Sequence, residues 1–278
     1  LSLTNTADPR KYQYFPRFDW PRVSNPMLRF PVDAEVLADV EAAEAKAIAE
    51  IKQALAQFPD DIAALLIEPI QGEGGDNHFR TEFLQQLRNL ADEAEFLLIY
   101  DEVQTGFGTT GKWWCFEHFG VEPDLFAFGK KSQVCGICAS SRLDEVDSVF
   151  QVSSRINSTW GGNLVDMVRS QRYVEIIEQD NLLDNATAVG AHLLEGLQRL
   201  EETFPGQVSN SRGRGMFVAF DLPDGDTRDR VLATMLDADV LGLASGERAV
   251  RFRPSLTLTR AEADEGLDRL TRALSATL

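Results

Sequence analysis

The apolar positions of this chain fall into two alternating rhythms. Residues 34–57 are rich in Ala and Glu and place apolar side chains at helical spacing, which predicts a long amphipathic helix. A short apolar run at 62–67 follows and ends at Glu68-Pro69, which reads as a buried strand. The helical rhythm returns over 79–94, and further apolar runs at 96–100 and 125–128 end at Asp101-Glu102 and Gly129-Lys130. Strand, helix, strand with near-continuous apolar strands is the pattern of a mostly parallel sheet flanked by helices. Helices are predicted at 163–179 and 182–202. Strands at 216–222 and 249–252 then alternate with helices at 227–236 and 260–276, predicting a smaller C-terminal α/β domain. Ser209 to Gly215 supplies turn chemistry entering that second sheet. The expected division is residues 1–165, the larger domain, and 166–278, a linking helix and the smaller one. Residues 1–32 carry closely spaced prolines and aromatics, as in Phe15-Pro16-Arg17-Phe18-Asp19-Trp20-Pro21, and predict an ordered loop.

Charge narrows the partners. The 44 acidic and 27 basic residues give a net charge of −17, which argues against nucleic acid and against an anionic membrane surface. No apolar stretch reaches the roughly 18 residues of a membrane span. No charged start followed by an apolar run suggests a signal peptide. The chain begins at Leu1 rather than Met, so a preceding N-terminal part is expected. Three cysteines, an odd and low number, predict a reducing, cytoplasmic compartment without a disulfide framework. Cys135 and Cys138 form one C-x-x-C, with no second pair to complete a zinc site, and their apolar setting reads as a buried strand or turn. The three histidines are scattered, so neither a His-based triad nor a metal site is expected.

In open parallel sheets, ligands sit at the carboxyl ends of the strands. Three strands here end in polar residues there: Glu68 to Gly75, Asp101 to Gly106, and Gly129-Lys130-Lys131. One acid-rich strand end alone would be read as helix caps and solvated loop. The glycines after Glu68 match no dinucleotide fingerprint, because Asn77 stands where the third glycine belongs. Carboxylate, amide and amine on one rim suit pyridoxal phosphate. Its ring nitrogen must stay protonated, which a buried carboxylate ensures, and a lysine must form the Schiff base. Asp101 and Lys130 end successive strands and approach opposite parts of one small ring. The neighbouring Lys131 is the competing amine.

The segments Ile-Glu-Pro-Ile-Gln-Gly-Glu-Gly-Gly (67–75), Asp-Glu-Val-Gln-Thr-Gly-Phe-Gly (101–108) and Ala-Phe-Gly-Lys-Lys (127–131) resemble the hallmark motifs of class III aminotransferases. A fourth, Ser154 to Asn163, has an Asn-Ser-Thr-Trp-Gly-Gly-Asn wording similar to that of the lysine 6-aminotransferases. The resemblance runs from end to end and implies the fold type I pyridoxal-phosphate transferase architecture. It implies transfer of the ε-amino group of L-lysine to 2-oxoglutarate by a homodimer. It also implies that a longer N-terminus carries the turn for the cofactor phosphate and an arginine for a substrate carboxylate. Ornithine or 4-aminobutyrate as donor, and a silent dimerisation module, are the alternatives.

Residue by residue, the resemblance implies that Lys130 is the Schiff-base lysine and Asp101 the partner of the ring nitrogen. Val103 packs on the ring, and Gln104 bonds its hydroxyl and approaches substrate. Thr159, with Ser158, reaches the phosphate of the neighbouring subunit's cofactor, and Asn157 lies beside the substrate. The same polar turn would also serve as a cap for the helix at 163–179. Glu73 is implied to pair with Arg251 when lysine reacts and to release it for 2-oxoglutarate. Arg253 is the rival of Arg251, and either also reads as a structural cation at a strand edge.

Overall fold

A computed structural model describes residues 2–3, 8–156, 159 and 161–278. Its first sheet has the order β1 (Ala64–Ile67), β2 (Leu97–Asp101), β3 (Leu125–Phe128), β4 (Gly136–Ala139). The first three strands are parallel, and β4 runs antiparallel beside β3. Helix α1 (Ala34–Gln57) begins where Asp33 accepts the Val36 N–H at 2.8 Å. It buries Val40, Ala47 and Ile51, while its one buried acid, Glu44, is held by Arg80 at 2.6 Å. Helix α2 (Thr81–Glu93) lays Phe83, Leu84, Leu87 and Leu90 against Leu98 and Tyr100 of β2. Each such fully buried side chain stabilises the layer by about 2–3 kcal/mol.

Helices α3 (Leu164–Gln179) and α4 (Leu182–Thr203) lead to a second, wholly antiparallel sheet. Its order is β5 (Ser209–Arg214), β6 (Phe217–Asp221), β8 (Ala249–Phe252), β7 (Leu243–Ser245). Every residue of β6 is buried, and α5 (Gly225–Asp237) and α6 (Arg260–Thr277) close a core of Leu197, Phe220, Val231, Val250 and Leu274. Thr259 and Glu262 form a reciprocal cap at the start of α6. No helix is long and apolar enough to cross a membrane among the described residues.

Three expectations change. The segment read as a turn at 209–215 is strand β5, and β7 went unpredicted. Strand β4 takes in Cys138 and begins just after Cys135, yet both cysteines are exposed, because β4 lies at the outer edge of its sheet.

Candidate active site

The register of the parallel strands places Ile67 beside Tyr100 and Asp101 beside Ala127. Glu68, Asp101 and Gly129-Lys130 therefore leave the sheet on one rim. Each exit is fixed by local bonds. The Glu68 carboxylate accepts the Gly72 N–H at 2.8 Å and folds the glycine-rich turn back on itself. Asp101 Oδ1 accepts the Val103 N–H at 3.0 Å, leaving its other oxygen without a partner among the described residues. Glu102 is buried and accepts from the Thr105 hydroxyl and from the Phe116 N–H. Lys130 opens a short 3-10 turn with φ of 50°, a left-handed conformation that costs a side-chain-bearing residue of order 1–3 kcal/mol. Strain of this kind collects at functional positions.

The two adjacent lysines part company here. Lys131 is mostly buried, and its amine donates to the Gln104 carbonyl oxygen. Burial pushes that amine down to about 7, helped by Arg253, Lys130 and Arg251. Lys130 is exposed, and its amine makes no bond with the described residues. Glu68 is pushed up from the usual carboxylate range, first by burial and opposed by the Gly72 N–H. It also feels both Asp101 and Lys130, so the three surround one space.

The second sheet supplies the cations. Arg251, on β8, points Nη1 at Gln104 Oε1, 3.5 Å away, and its buried Nε has no partner among the described residues. Arg253 is committed elsewhere. It bonds Asp76 Oδ1 at 2.6 Å and stacks over the Phe217 ring with its guanidinium carbon 3.2 Å from the centroid. Of the two rivals, Arg251 is the one that bonds a rim side chain, Gln104.

Glu73 does not pair with Arg251 in this structure. Its half-exposed carboxylate pairs with Lys11, from the N-terminal segment. The reason is the turn: the Glu73 carbonyl accepts the Gly246 N–H at 2.9 Å, and its side chain is left at the surface. Thr159 is exposed and meets none of the rim groups among the described residues, whereas Asn157 and Ser158 lie outside the described residues. The cap of α3 is Asn163, which accepts the Val165 N–H at 3.0 Å, rather than Thr159.

Sequence reasoning overlooked Asp76 and the brace from Lys131 to Gln104. Asp76 follows two glycines and reads as a solvated turn, yet it is 1% exposed. It is ringed by Arg253, Arg251 and Arg212, which oppose the upward push of burial on its carboxyl.

The donor set fits pyridoxal phosphate: an Asp101 carboxylate oxygen and a Lys130 amine with no partner among the described residues, an amide on Gln104, and Val103 two residues beyond Asp101. The space beside Gln104 exists because residue 72 is glycine, since a Cβ there would lie 2.6 Å from the Gln104 amide.

Comparison with known proteins agrees. L-lysine-epsilon aminotransferase of Amycolatopsis lactamdurans is 49% identical over 278 residues, covering 99% of this chain and 61% of that protein. The enzyme of the same name from Mycobacterium tuberculosis is 48% identical over 275 residues, covering 99% and 60%. The solved lysine aminotransferase of M. tuberculosis in the internal aldimine form superposes with a TM-score of 0.95 at 46% identity, covering 100% of this chain and 63% of that one. The chain thus spans about three fifths of the length of these relatives. 4-Aminobutyrate aminotransferase of Kluyveromyces lactis is further off, at 35% over 264 residues, covering 94% and 55%. The aminotransferase class-III model matches residues 2–274, which takes in the whole strand-end rim and the arginine strand that faces it: the chain belongs to the class-III aminotransferase family.

Proposed function

We propose that this chain carries the cofactor rim and the acceptor arginine of an L-lysine 6-aminotransferase. The enzyme moves the ε-amino group of L-lysine to 2-oxoglutarate and yields 2-aminoadipate 6-semialdehyde and glutamate. The observation that carries the reading is the convergence of Asp101, Gln104 and the unengaged Lys130 on one rim, with Arg251 reaching Gln104 from the other sheet. Names and identities of the relatives favour lysine over 4-aminobutyrate as donor.

Pyridoxal phosphate, when bound, supplies the electron sink that makes the carbon next to nitrogen acidic. The residues of the chain do the rest. Asp101 keeps a proton on the ring nitrogen through its open oxygen. Gln104 donates to the ring hydroxyl, and Val103 bears on the ring face. Lys130 holds the aldehyde end and shuttles the proton between neighbouring atoms of the substrate. Arg251 takes the carboxylate beside the keto carbon of 2-oxoglutarate, in the paired geometry that guanidinium favours. Glu73 draws near Arg251 only when lysine occupies the site, in exchange for Lys11. Asn157 lies beside the substrate, and Ser158 with Thr159 completes the phosphate site of the partner in a homodimer with two-fold symmetry.

Adding pyridoxal phosphate to the chain, and to a version extended at its N-terminus to the length of the relatives, tests this. A new visible absorbance band, trapped by borohydride on Lys130 in peptide maps and lost in Lys130→Ala but not in Lys131→Ala, is expected. Label on Lys131 would overturn the assignment of the lysine. Turnover with 4-aminobutyrate but not lysine would overturn the donor.

A further inference from the structure

We propose that Lys131 is a positioning residue that sets where the Gln104 amide stands, by holding the Gln104 main chain from behind the rim. This rests on the role given to Gln104 above. Strands β2 and β3 are neighbours, with Asp101 beside Ala127, so the turns that follow them run side by side. Lys130 to Ser132 form the short 3-10 turn just beyond β3, and Gln104 lies in the turn beyond β2. The two consecutive lysines take different directions. The Lys130 amine has no partner among the described residues, while the Lys131 amine crosses to the Gln104 carbonyl oxygen and donates to it.

That bond matters because the residues around Gln104 are anchored by other means. The Glu102 N–H donates to the Ala127 carbonyl at 2.9 Å, the Val103 N–H to Asp101 Oδ1 at 3.0 Å and the Gly106 N–H to the Glu102 carbonyl at 2.9 Å, and the Thr105 hydroxyl donates to the Glu102 carboxylate. The Gln104 carbonyl accepts from Lys131 alone among the described residues. The Gln104 side chain is bounded on one side by Gly72, where a Cβ would lie 2.6 Å from its amide. It meets Arg251 at 3.5 Å, the outer limit of a hydrogen bond, so a small shift of the main chain is enough to break the contact.

The tether itself is firmly seated. Ser132 is 1% exposed and donates from its hydroxyl to the Val134 carbonyl at 2.7 Å, and the Gln133 N–H donates to the Lys130 carbonyl at 3.2 Å. One turn thus delivers the reacting amine of Lys130 and holds the main chain of the amide that works beside it. Burial, with Arg253, Lys130 and Arg251, pushes the Lys131 amine down to about 7 against the opposing pull of Glu102. At pH 8 it is therefore mainly a neutral donor, and replacing it removes a tether rather than a charge.

Lys131→Met keeps most of the apolar body of the side chain and removes the donor. The full-length enzyme loaded with pyridoxal phosphate is compared at pH 8 as wild type, Lys131→Met, Gln104→Ala and the double variant. Each is titrated by calorimetry with glutarate, a five-carbon dicarboxylate that cannot react. Glutarate is expected to bind about 10-fold weaker to Lys131→Met than to wild type, because the displaced amide no longer orients Arg251. It is expected to bind within about 2-fold equally to Gln104→Ala and the double variant, since the tether acts only through the amide it positions. The visible band persists in Lys131→Met and shifts in the same direction as in Gln104→Ala. The melting temperature falls by the same amount in both backgrounds, because Gln104→Ala leaves the carbonyl and its donor in place. A general loosening of the fold, or a direct pull of the amine on the anion, would weaken glutarate equally in both backgrounds, and that result overturns the inference. Wild-type glutarate binding in Lys131→Met overturns it too. Should Lys131→Met not fold, Lys131→Gln, whose amide ends one bond short of the carbonyl, takes its place with the same expectations. A wild-type enzyme that gains no visible band with pyridoxal phosphate overturns the proposed function, whereas equal losses in both backgrounds of an enzyme with a normal band overturn this inference alone.

Discussion

Replacing Gly72 with alanine isolates what the position of Gln104 is worth. The backbone at Gly72 lies outside the left-handed region, so alanine brings no backbone strain. Both of its peptide groups keep their partners, Glu68 below and Ser245 above. The added Cβ, however, would lie 2.6 Å from Gln104 Cδ and Nε2 and 2.8 Å from Oε1, where ordinary contact begins near 3.4 Å. The amide is the far end of a flexible side chain and retreats by the better part of an ångström. Its bond to Arg251, already 3.5 Å long, does not survive that movement. Stability should change little. The lost charged hydrogen bond and the gain of about 0.4–1 kcal/mol from a stiffer unfolded chain are opposed. A melting shift within roughly 5 °C is expected. Misplacing a substrate-orienting group by about 1 Å costs up to about 10²-fold, so turnover with lysine and 2-oxoglutarate should fall between about 10- and 100-fold. Steady-state rates and melting curves are compared for Gly72→Ala, Gln104→Ala and the double variant. Since one displaced amide explains both losses, the double variant should be no worse than Gln104→Ala alone. Additive losses, or a Gly72→Ala protein that melts far below wild type, would refute the reasoning.

Three further outcomes are expected. Asp101→Asn keeps an acceptor for the Val103 N–H and still binds the cofactor, but turnover falls roughly 10²–10⁴-fold, because an amide does not hold a proton on the ring nitrogen; near-normal rates would contradict this. His78 is held neutral by burial, with Arg212, Arg214 and Arg253 adding to the effect, and its pKa falls from 6.5 to about 3. Its depressed value means that the unfolded chain takes up a proton first, so stability declines as pH drops from 6.5 toward 3. At pH 5 the loss is about 2 kcal/mol, and it should vanish in His78→Leu when urea midpoints are compared. Lys131, pushed from 10.5 to about 7, acts over a different window: the folded state resists its proton, so stability is lost as pH falls from 10.5 to 7. Against Lys131→Met, wild type should therefore gain roughly 2–3 kcal/mol between pH 7.5 and 9.5, and a flat difference would place the amine in water.

The strands whose bounds were read correctly are those written as short, mainly apolar runs, with Arg251 the one charged residue in either. Residues 125–128 and 249–252 agree with β3 and β8 to the residue. Strand β5, Ser-Asn-Ser-Arg-Gly-Arg, carries no such signal and is a strand because the wholly buried β6 pairs with it; tertiary pairing overrides local preference. The rim was legible because each site group sits within a few residues of the strand that aims it. The ties across the molecule were not. Asp76 meets Arg253 at a separation of 177 positions, and Gln104 meets Arg251 at 147. Nothing in a periodic pattern links such pairs. The partner expected for Glu73 illustrates the limit: its neighbour here is set by where Lys11 lies, which no local pattern reveals.

The junction between the two sheets is ionic where an apolar one would have been cheaper to desolvate. Asp76 with Arg253, and Arg212 with Asp221 at 2.8 Å, are buried pairs, and burying a carboxylate and a guanidinium together adds little net stability. Their consequence is positional. Hydrogen bonds to charged groups have narrow preferred distances and directions, which apolar contacts lack. Arg253 lies two residues beyond Arg251 on the same strand end, and Asp76 lies four residues beyond Gly72, against which Gln104 rests. Fixing Arg253 on Asp76 therefore fixes the base of Arg251 relative to the Gln104 amide. The Phe217 ring under the Arg253 guanidinium adds a cation–π attraction that favours this inward position. A junction of leucines would tolerate a slide of an ångström at small cost, and that slide is as large as the displacement that separates a bound carboxylate from a lost one.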